Sequence, residues 1–241
     1  MTEIERQAHA YLDLPSRRMK GMKIERLLDL ESRQQPFRLL EVGTGSGGIA
    51  HYFATHVNLQ CDVTAVDTRD NRLIDSSYDF QVVDDTHLPF DDGAFDVVVS
   101  NHVIEHVGDE SAQLHHLEEI RRVMAEGGIC YLAVPNRWML REPHYGLAFL
   151  SWLPHRWRTP YLRTMKKGLL YDCELPSLGR LERLLSTANF NFDNICIEAL
   201  RATLDIERPD AGITRLLRKI PNGFLTPLRP IIPTLIYRVW P

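Results

Sequence analysis

Between residues 37 and 135, short apolar runs rich in branched side chains alternate with stretches whose apolar positions recur at three and four. Arg38–Val42 is one such run and ends at glycines. Residues 46–57 then place Ile49, Ala50, Phe53 and Val57 on one helical face. Val63–Val66 predicts a second strand ending at Asp67, Phe80–Val83 a third ending at Asp84, and Phe95–Ser100 a fourth ending at Asn101. Residues 109–126 read as a helix through Leu114, Leu117, Ile120, Val123 and Met124, closed by Gly127-Gly128 before the strand Ile129–Val134. Strands alternating with helices predict βαβ units and an α/β fold. The expectation is a Rossmann-like doubly wound, mostly parallel sheet with helices on both faces.

Farther along, Leu178, Leu181, Leu184, Leu185 and Ala188 predict a helix, and Phe192–Leu200 a further strand. Residues 211–241 show two apolar stripes at helical spacing, Ile213, Leu216, Leu217, Ile220 and then Leu228, Ile231, Ile232, Leu235, Ile236, Val239, Trp240. The second predicts a helix starting near Pro230, a proline in the first turn costing little. The organisation expected is a helical cap over 1–35, a main domain over 36–200 with an insertion at 137–172, and a basic amphipathic extension over 201–241.

Composition adds a split of charge. Residues 1–136 carry 12 Lys+Arg against 23 Asp+Glu, a net of −11, whereas residues 137–241 carry 16 against 9, a net of +7. A basic surface in the second half suits an anionic acceptor or lipid headgroups. The 4 cysteines, Cys61, Cys130, Cys173 and Cys196, are far apart, so neither a disulfide framework nor a zinc ribbon is indicated. Charges near the first residue stand where a secretory leader would be apolar, and no run reaches the length of a membrane span. The expected location is cytoplasmic, with peripheral membrane contact through 211–241 as the variant reading.

Ligands of such sheets bind at the carboxyl ends of the strands, where the polar residues fall. The turn Glu41-Val42-Gly43-Thr44-Gly45-Ser46-Gly47 allows close backbone approach. Asp67 follows Gly43 by 24 positions, where a carboxylate accepts from ribose hydroxyls. These two elements alone leave a nicotinamide enzyme open. Against a short-chain dehydrogenase, none of the 8 tyrosines has a lysine four residues on.

The further segments Asp84-Asp85-Thr86-His87-Leu88-Pro89-Phe90, Asp92-Gly93-Ala94-Phe95-Asp96-Val97, Asn101-His102-Val103-Ile104-Glu105-His106 and Glu118 to Gly128 complete an ordered set. Together they resemble the class I S-adenosylmethionine-dependent methyltransferases of the type 11 group, over roughly residues 36–136. The resemblance implies that Glu41 and the turn Gly43, Thr44, Gly45 and Gly47 hold the amino-acid end of S-adenosylmethionine, and Asp67 its ribose. It also implies Asp84 or Asp85 at the adenine and Asn101 beside the methionine portion. No G-K-[ST] follows the turn, as suits a cofactor without phosphates. Serine and asparagine at 100 and 101 replace the Pro-Pro aromatic signature of DNA amino-methyltransferases, so no nucleic-acid partner is expected.

The 137–172 insertion interleaves rings and cations, among them Arg137, Trp138, Arg141, Trp152, Trp157 and Lys167. It predicts a lid over a sugar-bearing or anionic acceptor. The acceptor expected is an oxygen of a glycan or lipid-linked intermediate. The alternatives are a small-molecule O- or C-methyltransferase of quinone or secondary metabolism and a non-catalytic scaffold. Candidate bases are His144, His106, His102 and Tyr145. No metal is expected, because His102 stands where related metal-dependent enzymes carry their first carboxylate.

Overall fold

The computed structural model describes residues 14–33, 35–142 and 144–241. Part of the 1–35 cap expected from sequence therefore lies outside the described residues. The rest of it forms helix α1 (Leu14–Leu28). Seven strands follow: β1 (Phe37–Val42), β2 (Cys61–Asp67), β3 (Asp79–Val82), β4 (Phe95–Asn101), β5 (Met124–Pro135), β6 (Asn191–Asn194) and β7 (Thr234–Trp240). The helices are α2 (Gly48–Ala54), α3 (Glu110–Val123), α4 (His155–Thr164), α5 (Leu178–Thr187), α6 (Cys196–Glu207) and α7 (Gly212–Lys219). The sheet order is β3-β2-β1-β4-β5-β7-β6, with β1 to β5 parallel and β7 antiparallel to both neighbours.

The central strands are apolar on both faces because both faces are covered. Leu40, Val42, Val98, Leu132 and Val134 pack with Leu117 and Ile120 of α3 and Leu181 and Leu185 of α5. The alternate residues Leu39, Val97, Val99, Tyr131 and Ala133 pack with Ile24 of α1, Phe53 of α2 and Ala199 of α6. Residues 139–175 form a small core of their own from Met139, Tyr145, Leu150, Leu162, Tyr171 and Leu175. Among the described residues no helix is long and apolar enough to cross a membrane.

Two expectations are corrected at the C-terminal end. Leu228–Trp240 is not one helix: a 3-10 helix ends at Ile231, and Thr234–Trp240 is the strand β7, inserted between β5 and β6. Within it Leu235, Tyr237 and Val239 turn to one core and Ile236 to the other, a period of two. Pro227, Pro230 and Pro233 break the helical spacing upstream, and the open edge of β5 supplies the pairing partner. Phe192–Leu200 is likewise not one strand. Asn194 Oδ1 accepts from the backbone N–H of Cys196 at 3.2 Å, and α6 begins there, so the boundary at 200 falls inside a helix. Residues 201–241 are therefore part of the main fold, with only α7 forming as the amphipathic helix expected.

Candidate active site

The glycine turn joins β1 to α2. Gly43, Gly45 and Gly47 have φ of 74°, 57° and 77°, the left-handed region that side chains disfavour. A Cβ on Gly43 would meet Val103 at 2.4 Å, and one on Gly47 would meet Tyr78 at 2.1 Å. The turn is thus wedged on one side by the segment after β4 and on the other by the segment before β3. Inside it, Glu41 is buried, and its Oε2 accepts from Thr44 Oγ1 at 2.7 Å and from the Ala50 N–H at 2.9 Å. Burial pushes its pKa up to about 7, against these hydrogen bonds and the charge of Arg17. Arg17 of α1 is itself buried and lies across Gly48, where a Cβ would meet its own at 2.6 Å. No sequence signal distinguished that arginine from a solvated helix cation.

Asp67 ends β2 half-buried, and its Oδ2 accepts from the Gly45 N–H at 2.8 Å, which ties the second strand's carboxylate to the turn. The Val83 N–H donates to the Asp67 carbonyl at 3.0 Å, bringing the exposed Asp84 and Asp85 alongside. Asp85 Oδ1 accepts from the His87 N–H at 2.7 Å, a local turn. Asn101 ends β4, half-buried, in register with Ala133. All nine residues expected to hold the cofactor therefore lie at the carboxyl ends of β1 to β4. Glu41 stands behind the turn rather than at its surface.

On the other side of Val103 the histidines gather. His102 has φ 63° and sits with its Nδ1 at 3.5 Å from Glu105 Oε1, and His106 Nε2 is 3.9 Å from the same oxygen. Glu105 is fully buried, with neither oxygen in good hydrogen-bond geometry. Burial works against its charge, but the facing His102 and His106 outweigh that and hold its pKa below the ordinary value. The insertion adds His144, edge-on to His106 at a ring separation of 5.2 Å. Glu142, also fully buried, faces His144 Nδ1 at 2.5 Å and accepts from the Tyr145 N–H at 2.8 Å. Burial favours the neutral His144 ring, yet Glu142 outweighs it and raises the pKa.

Sequence reasoning brought out the four candidate bases but missed Glu142, although it stands two residues before His144. Tyr145 is placed differently from the others. Its ring packs in the insertion's core, its hydroxyl donates to the Leu170 carbonyl at 3.1 Å, and burial pushes its ionisation up. The ligating atoms of His102, Glu105 and His144 lie within 4.8 Å of one another, as do those of His106, Asp172 and Cys173. Such donor sets suit a divalent ion as well as proton transfer.

The comparisons agree with this geometry. Residues 40–132 match the family described as "Methyltransferase domain". Ajmaline N-methyltransferase of Rauvolfia serpentina is 30% identical over 106 residues, 40% of this chain and 35% of that protein. Chloroplastic tocopherol O-methyltransferase of Arabidopsis thaliana is 29% identical over 118 residues, 45% and 33% of the two chains. The chain thus spans about a third of the length of the curated relatives it matches. Among solved structures, geranyl diphosphate C-methyltransferase from Streptomyces coelicolor superposes with a TM-score of 0.54 at 16% identity, over 98% of this chain and 87% of that one. A methyltransferase in complex with the Haloferax volcanii Trm112 activator gives 0.53 at 17% identity, over 99% of both. At these identities the structures show the fold. The strand order and the glycine turn accord with that match, so residues 40–132 form a domain similar to the methyltransferase family within a Rossmann-like fold.

Proposed function

We propose that the chain transfers the methyl group of S-adenosylmethionine to an oxygen of a small acceptor, of which a glycan or lipid-linked intermediate fits the insertion best. The observation that carries the reading is the junction at Val103. It wedges Gly43 of the cofactor turn on one side and opens the Asn101-to-His106 segment onto the Glu142–His144 pair on the other. The residues fit the cofactor. The turn offers backbone at positive φ, the buried Ser46 Oγ in it has no protein partner, and Asp67 stands at the strand end where a ribose would lie. Glu41 and Arg17 brace the turn from behind, while Asp84 and Asp85 would take the adenine end and Asn101 the methionine end.

When bound, the cofactor supplies an activated methyl group on a sulfonium. The protein's part is to align an acceptor in line with it and to exclude water. His144 takes the acceptor's proton: Glu142 holds Nδ1, so Nε2 is read as the base, and Glu142 stabilises the imidazolium that results. Glu142 is a positioning residue, since it acts through the ring. His102, His106 and Glu105 set the local field around that proton. Each histidine faces a carboxylate, so the cluster is read as acid–base machinery without a metal, and a chelator should leave the rate unchanged. Residues 137–172 act as the lid that brings His144 over the acceptor, a role supported by their separate small core.

The test is methyl transfer from labelled S-adenosylmethionine to extracts fractionated into lipid-linked sugars, free glycans and small aromatic acceptors. The reading expects label in an oxygen of the first two fractions, lost in His144→Ala while cofactor affinity is kept. Label confined to small aromatic acceptors would move the substrate to the quinone-type alternative. No label in any fraction, with cofactor bound, would favour the scaffold.

A further inference from the structure

The insertion exposes rings in a way that its own core does not require. Trp138 and Trp152 meet edge to face with centroids 5.7 Å apart, and Phe149 meets Trp152 at 5.3 Å. The Phe149 N–H donates to the Leu140 carbonyl at 2.9 Å, so Leu140 completes one continuous shelf. These four side chains are 39%, 39%, 51% and 62% exposed for Trp138, Trp152, Phe149 and Leu140. A contiguous apolar patch of this kind marks an interaction surface, whereas single exposed leucines do not. Phe149 is held there at a φ of 57°, a left-handed backbone unfavourable to any residue with a side chain. The Trp152 indole N–H is satisfied by the Met139 carbonyl at 2.8 Å, leaving its apolar body outward.

The insertion that carries the shelf is cationic. Residues 137–172 contain 7 Lys+Arg and 2 acids, and those acids, Glu142 and Asp172, are buried and half-buried. Arg137 lies over the Trp138 ring at 5.5 Å, and Arg141 and Arg156 are exposed. Asn136 fastens the foot of the shelf to the C-terminal turn through the Pro230 and Ile232 carbonyls, at 2.8 and 2.9 Å. That turn exposes Leu228 and Ile231. Aromatic bodies surrounded by cations, with no exposed acid among the insertion's residues to oppose them, match the interfacial zone of an anionic bilayer, where tryptophan settles at headgroup depth and each cation adds attraction.

We infer that the Trp138–Leu140–Phe149–Trp152 shelf is a docking surface for an anionic lipid bilayer. The inference does not depend on the methyl-transfer reading, because it is measured without cofactor or acceptor. It moves the membrane contact from the C-terminal stripe, now known to be partly a strand of the sheet, to the insertion.

The experiment is sedimentation of the full chain with vesicles of phosphatidylglycerol and phosphatidylcholine in equal parts, beside vesicles of phosphatidylcholine alone. Wild-type protein is expected to sediment with the anionic vesicles, weakly with the neutral ones, and to be released by high salt. The double variant Leu140→Ser, Phe149→Gly is expected to lower the partition at least about tenfold, since both anchors are lost. Its melting temperature should stay at the wild-type value, because glycine adopts the backbone of residue 149 freely. An intact chain that stays in the supernatant, or that binds both vesicle types alike without salt dependence, overturns the inference. So does a folded double variant that binds as wild type. If the double variant instead converts a wild-type dimer to monomer with no vesicle binding by either protein, the shelf is a contact between copies and the bilayer reading fails.

Discussion

Glu41→Gln offers a sharp physical test of the cofactor turn. Glu41 is fully enclosed, and burial raises its pKa from the ordinary 4.5 to about 7. The fold therefore prefers the neutral carboxyl. Its contribution to stability is fully present below the unfolded-state value, falls as pH rises from about 4.5 toward 7, and is level above that. Between about pH 5 and pH 8 the linkage relation, with these two values, removes roughly 2–3 kcal/mol from the wild-type protein. Glutamine keeps an oxygen to accept from Thr44 Oγ1 and the Ala50 N–H but has no charge to bury. The stability difference, variant minus wild type, is thus expected to rise by roughly 2–3 kcal/mol between the two pH values, while other titrating groups cancel. Denaturant unfolding at both pH values measures it. In thermal melts, the same change corresponds to roughly 5–10 °C for a chain of this size. A difference that stays constant across the range within about 0.5 kcal/mol would refute the reasoning and show Glu41 to be ionised at ordinary cost in the fold.

Three further outcomes follow from the site and the sheet. His144 must be neutral to accept a proton and Glu142 raises its pKa, so methyl transfer should rise with pH along a limb above the ordinary histidine value. Glu142→Gln should move that limb to lower pH and cut the plateau rate by roughly 10- to 100-fold, read from a pH–rate profile. Removing residues 234–241 deletes a strand paired on both sides, so the truncated chain should lose cooperative unfolding and far more than a surface tail's worth of stability. Proteolysis in the 137–172 insertion should be slowed by cofactor and acceptor together if it closes as a lid, and equal cutting in both states would remove that role.

Much of this was legible in the sequence for a physical reason. β1, β2, β4 and β5 are buried on both faces, so they read as apolar runs, and their carboxyl ends carry Glu41 to Gly47, Asp67 and Asn101 in order. β7 was not legible, because a mostly apolar segment such as Thr234–Trp240 fits a helical stripe and a buried strand alike. Only the distant edge of β5 decides between them. Three of the four candidate bases, His102, His106 and His144, lie together, while Tyr145 packs in the insertion's core. Which of them can act depends on contacts with no sequence period: the turn that sets Glu142 against His144, and the packing that gives the Tyr145 hydroxyl to Leu170. Arg17, which lies across the turn from α1, carried no signal at all.

The central claim, that the glycine turn and Asp67 hold S-adenosylmethionine, is tested most directly by calorimetric titration of the wild-type chain and Asp67→Ala with S-adenosylmethionine and S-adenosylhomocysteine. The account predicts saturable binding of both ligands by the wild type. It predicts a loss of roughly 1.5–3 kcal/mol in the variant, which gives up a charged hydrogen bond and frees the Gly45 N–H. Absence of binding by the wild-type chain at millimolar ligand, or equal affinity in the two proteins, would contradict it.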